Sequence, residues 1–175
     1  MSDYIPSLEV DFDTEYDVDG ATACFISFRL GFLPEENKMV SMYVALLAGR
    51  PFIDDEGISV EDRDVYDMKF CIRIRDVDPP NLAGDGDFSR EAVDRYIPRT
   101  MRPQVLDCIG KAARALVEQR SPLWLTMVTY YADLPEKALA KYEKLDSIIM
   151  DLGYTLCRRV QLEDGKWYWY FKKDR

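Results

Sequence analysis

The sequence predicts an α+β fold: a largely antiparallel mixed sheet of about seven strands with two or three helices packed on it, in the order ββββ-αα-β-α-ββ. Three observations carry this. Apolar and polar residues alternate with period two near both ends of the chain, helical stripes appear only after residue 89, and hairpin-length links join consecutive strands. The 175 residues, 47% hydrophobic and 31% charged, suit a single domain over 1–175 with a real core.

The first strand lies in "LEVDFDTEYDVDG". Acids occupy positions 9, 11, 13, 15, 17 and 19, while Leu8, Val10, Phe12, Tyr16 and Val18 occupy even positions. The second, "TACFISFRLGF", places Cys24, Ile26, Phe28, Leu30 and Phe32 on one face. A three-residue loop, Asp19-Gly20-Ala21, pairs Phe12 with Phe28 and keeps one face apolar; Arg29 then lies opposite Asp11. Lys38–Ala48 is apolar on both faces and reads as a central strand, and the acidic stretch 49–63 as a loop. "DVYDMKFCIRIRD" is the fourth strand, with Val65, Phe70, Ile72 and Ile74 inward and Lys69, Arg73 and Arg75 outward. The prolines and glycines of "VDPPNLAGDGDF" make it an irregular loop.

"SREAVDRYI" is a short helix ending before Pro98. "RPQVLDCIGKAARALVEQR" is a longer one, with Val105, Cys108, Ile109, Ala112, Leu116 and Val117 on one stripe. "LWLTMVTYY" is a buried fifth strand. In "DLPEKALAKYEKLDSIIMDLG", Asp133 caps a third helix and Leu139, Tyr142, Leu145, Ile149 and Leu152 form its stripe; Gly153 stops it. Residues 154–173 form an aromatic hairpin about Asp164-Gly165. A two-residue turn pairs Leu162 with Trp167, Val160 with Trp169 and Arg158 with Phe171, placing Trp167, Trp169 and Phe171 in the core, and pairs Gln161 with Tyr168 and Arg159 with Tyr170 on the other face.

Composition narrows the chemistry. The chain has no histidine, so catalytic triads, HExxH zinc chemistry and any imidazole base are excluded. Cys24, Cys71, Cys108 and Cys157 are widely spaced and read as free thiols, and no metal or cofactor is expected. "EYDVDG" opens like an EF-hand loop, but the twelfth position from Glu15 is Ile26. No signal-like start and no apolar run near the ~18 residues of a membrane span is seen, so a cytoplasmic protein without membrane contact is expected.

The net charge is −9, and seven of the acids, with no Lys or Arg, fall in the first 20 residues; without them it is −2. An acidic segment on a near-neutral body suits a basic protein partner rather than nucleic acid. The expected function is thus a small acidic, non-catalytic binding protein of the immunity, antitoxin, inhibitor or adaptor type. Its candidate partner-binding residues are Glu9, Asp11, Asp13, Glu15, Asp17, Asp54, Asp55 and Glu56, with Arg159, Tyr168 and Tyr170 of the last hairpin. Two alternatives remain. Tyr168 and Tyr170 beside Arg158, Arg159 and Lys172 could stack the bases of a single-stranded nucleic acid. The order of strands two to seven, with a helix after the fourth and "ALAKYEK" before a Gly-Tyr strand start, resembles GNAT-type acetyltransferases. That resemblance implies acyl-CoA-dependent acyl transfer, with the pyrophosphate held by a glycine-rich strand-to-helix turn. The corresponding stretch, "RIRDVDPPNLAGDGDF", interleaves Gly84 and Gly86 with Asp85 and Asp87, whose carboxylates repel phosphate.

Overall fold

The computed structural model describes residues 4–16, 23–50, 52–53, 59–60, 65–77, 89–129, 132 and 139–174; the side chains at 10, 11, 13–16, 53, 140 and 141 lie outside that description. The strands are β1 (Ile5–Tyr16), β2 (Ala23–Leu33), β3 (Lys38–Ala48), β4 (Phe52–Ile53), β5 (Ser59–Val60), β6 (Val65–Asp76), β7 (Trp124–Val128), β8 (Tyr154–Gln161) and β9 (Trp167–Lys173). The helices are α1 (Arg90–Tyr96), α2 (Arg102–Arg120) and α3 (Ala140–Asp151). Seven strands form one mixed, mostly antiparallel sheet in the order β1-β2-β3-β6-β7-β9-β8. The α+β reading therefore holds.

Several elements follow from local chemistry. Ser89 caps α1, its hydroxyl accepting from the Ala92 N–H at 3.0 Å. The stripe read in the sequence is the buried side of α2: Val105, Cys108, Ile109, Ala112, Leu116 and Val117 are all buried. β3 is buried from Val40 to Leu46 on both faces, as a strand with a neighbour on each side requires. β6 runs parallel to β7, with Val65 to Met68 opposite Trp124 to Met127, and the helical segment α1–α2 supplies the crossover that a parallel pair needs. The predicted Asp19-Gly20 hairpin and the Asp133 cap lie outside the described residues.

The chain divides into two compact units. The first comprises Met1–Glu15, Phe25–Val44 and Phe70–Ala112. Within it the start of β1 is fastened by Tyr4, whose hydroxyl lies 2.9 Å from the Leu30 carbonyl and 2.8 Å from that of Tyr96, with the two tyrosine rings edge to face at 5.3 Å. Gly31 makes room for this approach, because a Cβ there would sit 2.5 Å from the Ile5 carbonyl oxygen. Burial, and then the nearby Tyr96 phenol, push the Tyr4 hydroxyl up to about 12, so it stays a neutral donor. Phe12 meets Phe28 edge to face at 6.0 Å, in agreement with the pairing expected of the acidic strand.

The second unit comprises Tyr16–Cys24, Ala45–Lys69 and Ala113–Arg175. Its core lies between α3 and the sheet, where the Tyr142 ring stacks on Trp169 at 5.0 Å and 16°. Trp169 and Phe171 are fully buried, as expected, but Trp167 is only half-buried.

Three sequence readings are corrected here. The last hairpin pairs Gln161 with Trp167, Val160 with Tyr168, Arg159 with Trp169 and Arg158 with Tyr170. Leu162 and Lys166 close a three-residue loop, the Gly165 N–H bonds the Leu162 carbonyl at 2.9 Å, and Gly165 has φ 74°. A turn followed by a left-handed glycine absorbs one more residue than a two-residue loop, so the side chains of Arg158 to Gln161 change face relative to β9, and a bulge between Leu156 and Arg158 restores the expected face for Tyr154 to Leu156. In the stretch read as a loop, β4 and β5 form a short antiparallel ribbon, because Phe52 has an aromatic surface on which to pack. On β6, Arg75 is buried and Ile74 is 38% exposed, the reverse of the expectation; Arg75 lies over the Tyr43 ring, which shelters its charge as water would not reach it.

Candidate functional site

Of the residues singled out in the sequence, Glu9, Asp11, Asp13 and Glu15 occupy alternate positions of β1, which is an edge strand of the sheet. An edge strand leaves one side of its backbone without a sheet neighbour. Glu9 is half-exposed and forms an ion pair with Arg29 of β2, which also donates to Ser7 at 3.4 Å. Asp11, expected opposite Arg29, has its side chain outside the described residues. Asp17, Asp54, Asp55 and Glu56 lie outside the described residues.

The other three predicted residues are separated by the register of the hairpin. Arg159 shares a face with Trp169, its guanidinium 5.2 Å from the Trp167 ring centroid, 5.4 Å from that of Trp169 and 3.8 Å from the Glu143 carboxylate of α3. Tyr168 and Tyr170 are on the opposite face. Tyr168 donates its hydroxyl proton to Asp164 at 3.0 Å; burial and then this bond hold the phenol above its usual pKa, opposed by the charge of Arg50.

Tyr170 stands in a row that crosses four strands: Asp67 on β6, Thr126 on β7, Tyr170 on β9 and Arg158 on β8. Residues paired across strands share a face, so the row presents a carboxylate, an alcohol, a phenol and a guanidinium side by side. Thr126 donates its hydroxyl to Asp67. Burial, with Asp67 adding to it and Arg158 opposing it, raises the Tyr170 phenol. Two residues along β7 and β9, on the same face, the row is bounded by an aromatic cluster. Phe52 meets Trp124 at 5.1 Å and Tyr170 at 5.1 Å, and the Lys172 ammonium lies 5.1 Å from the Trp124 centroid. Such a surface can hold and orient a polar group. Without an imidazole, proton transfer on it would have to run through Asp67 or Tyr170.

Sequence reasoning missed Asp67, Thr126 and Phe52. Asp67 and Thr126 carried a weak signal, as polar residues inside strands otherwise rich in apolar ones; Phe52 carried none, since its place depends on a ribbon two residues long. Among the described residues, no group of three or more Cys, Asp or Glu is placed to hold a metal ion, and no helix is long and apolar enough to cross a membrane. Compared with protein-family models, curated proteins and solved structures, the chain matches none.

Proposed function

We propose that the chain is a small non-catalytic binding protein of the cytoplasm that docks a basic protein partner along β1. The observation that supports this is the position of the acidic strand: it is ordered, it lies at the sheet edge, and Phe12 anchors its apolar side on Phe28. Acids at 9, 11, 13 and 15 along such an edge steer a cationic surface while the backbone edge accepts it. Four thiols without a disulfide agree with a reducing compartment.

The test replaces Asp11→Asn, Asp13→Asn and Glu15→Gln together. Like charges on one strand repel, so the fold should hold or gain slightly in urea unfolding. Association with a basic partner captured by the wild-type chain should slow by about tenfold at low salt, and the wild-type on-rate should fall as salt rises. Unchanged affinity of the triple variant at low salt sinks the reading.

A second reading, acyl-CoA-dependent acyl transfer, is supported by one observation: β6 and β7 are parallel and joined by a helical crossover, as in the acetyltransferase-like order the sequence suggested. Saturable heat on titration with acetyl-CoA would favour it over the first.

A further inference from the structure

The sheet ends on two edge strands of opposite charge, β1 and β8. β1 carries Glu9, Asp11, Asp13 and Glu15 and no Lys or Arg, whereas β8 carries Arg158 and Arg159 and no acid. Each has a sheet neighbour on one side only, β2 for β1 and β9 for β8. An edge strand presents a row of backbone N–H and C=O groups on which another strand can pair. Along β8, Thr155, Cys157, Arg158 and Gln161 are exposed.

Charge decides which edges can meet. Two β1 strands would set carboxylates against carboxylates, and two β8 strands guanidiniums against guanidiniums; like charges directly opposite destabilise a pair. A β1 strand against a β8 strand sets opposite charges together. Apolar surface then selects a register. Ile5 begins β1 and is 52% exposed, and Leu162, the residue after β8, is 41% exposed. An antiparallel pairing that sets Ile5 opposite Leu162 also sets Ser7 opposite Val160 and Glu9 opposite Arg158. Period two puts Ile5 and Glu9 on one face of their strand and Leu162 and Arg158 on one face of theirs, so the apolar pair and the ion pair form together. Neither charge has to be unpaired for this. Glu9 already answers Arg29, but a carboxylate has two oxygens to share. Arg158 is exposed, and its five N–H donors leave room for a second acceptor.

We propose that a second copy of the chain lays its β1 along the edge of β8, so that the sheet of one copy continues into the next. The proposal rests on the reading of β1 as a docking strand and names the cationic surface it takes as β8 of another copy. The contact is heterologous: every copy in a pair keeps one edge open, so copies add head to tail. A net charge of −9 keeps copies apart at long range, and the matched edges act only at contact.

The test is sedimentation velocity of the full chain at rising concentration in about 0.15 M salt, where repulsion beyond about 8 Å is screened. The mass should climb from that of one chain to two and more. Glu9→Lys and Arg158→Glu each turn the central ion pair into a like-charge pair, and each should weaken self-association by about tenfold. Mixed in equal amounts, the two variants should regain it, because every β1 edge then has a β8 edge of opposite charge available. Arg158→Glu changes an exposed side chain, and it decides the matter alone if Glu9→Lys does not fold. A wild-type chain that stays a monomer, self-association unchanged by Arg158→Glu, or a mixture no stronger than its components overturns the proposal. A monomer that still binds a captured basic protein through β1 sinks this inference and leaves the docking reading standing; the failure of that reading shows instead as unchanged partner affinity in the triple β1 variant.

Discussion

Replacing Trp169 by alanine will destabilise the protein by about 3–5 kcal/mol, the range for a large aromatic deleted from a packed core. The indole has no solvent exposure and lies in the middle of the second unit. Tyr142 stacks on its face, Met127 is its neighbour on β7, and Arg159 is its neighbour on β8. Removing it leaves a cavity bordered by three elements that cannot all close on it, so cost follows volume. Tyr168→Ala, on the half-exposed opposite face, should cost much less. The two midpoints in urea, read with the slope of each transition, check the contrast. Equal losses for the two variants would mean that Trp169 does not hold α3 to the sheet.

Asp146→Asn is expected to stabilise the protein near neutral pH by about 1–3 kcal/mol, and hardly at all near pH 4. Asp146 lies on α3, is 5% exposed, and has a carboxylate oxygen, Oδ1, with no hydrogen-bond partner. The Trp169 Nε1–H is also buried nearby, but outside hydrogen-bonding geometry. Burial pushes the Asp146 carboxyl up to about 6; the charge of Arg159 and the indole oppose that rise, and Glu143 adds to it. A carboxyl whose folded pKa exceeds the unfolded value of 3.8 holds its proton more tightly in the folded chain. Stability is therefore full below pH 4 and is lost as pH rises towards and through 6, where the folded chain must ionise a buried group. The asparagine variant has no such group. Unfolding measured at pH 4, 5, 6 and 7.5 should show the two proteins diverging as pH increases. Parallel curves would mean that Asp146 titrates alike in both states.

Asp146 also shows what the sequence left legible. It falls on the helical spacing of Tyr142, Leu145 and Ile149, all buried, so its burial was open to the same periodicity argument that found the stripe. Its chemistry was not, because Trp169 and Arg159 reach it from strands 13 and 23 residues further along. The limits of β3 and α2 were readable to the residue, and those of β6 nearly so, since β3 is a continuous apolar run, α2 a run of helical period, and charge, glycine or proline bounds each. β1 was readable despite its seven-acid surroundings because strict alternation is a strand signal whatever residues occupy the polar face.

The register of the last hairpin was not readable. Trp167 to Phe171 are five aromatics in succession, so the apolar pattern has no period and selects no face. Asp164-Gly165 permits either loop length, and the choice falls to the docking of β9 on β7, where Leu125 meets Phe171 and Met127 meets Trp169. That choice sends Arg159 to the tryptophan face and leaves Tyr170 beside Asp67, Thr126 and Arg158. Likewise Arg73 and Arg75 read as outward cations, and only the ring of Tyr43, from another strand, makes them a sheltered pair. Local pattern was enough to determine where the long strands and helices run and which faces of β2 and α2 are apolar, because those properties depend on neighbours a few residues away. The order β7-β9-β8, the hairpin register and the grouping of charged side chains on each face were decided by packing between distant segments, where one residue of slip exchanges the two faces of a strand.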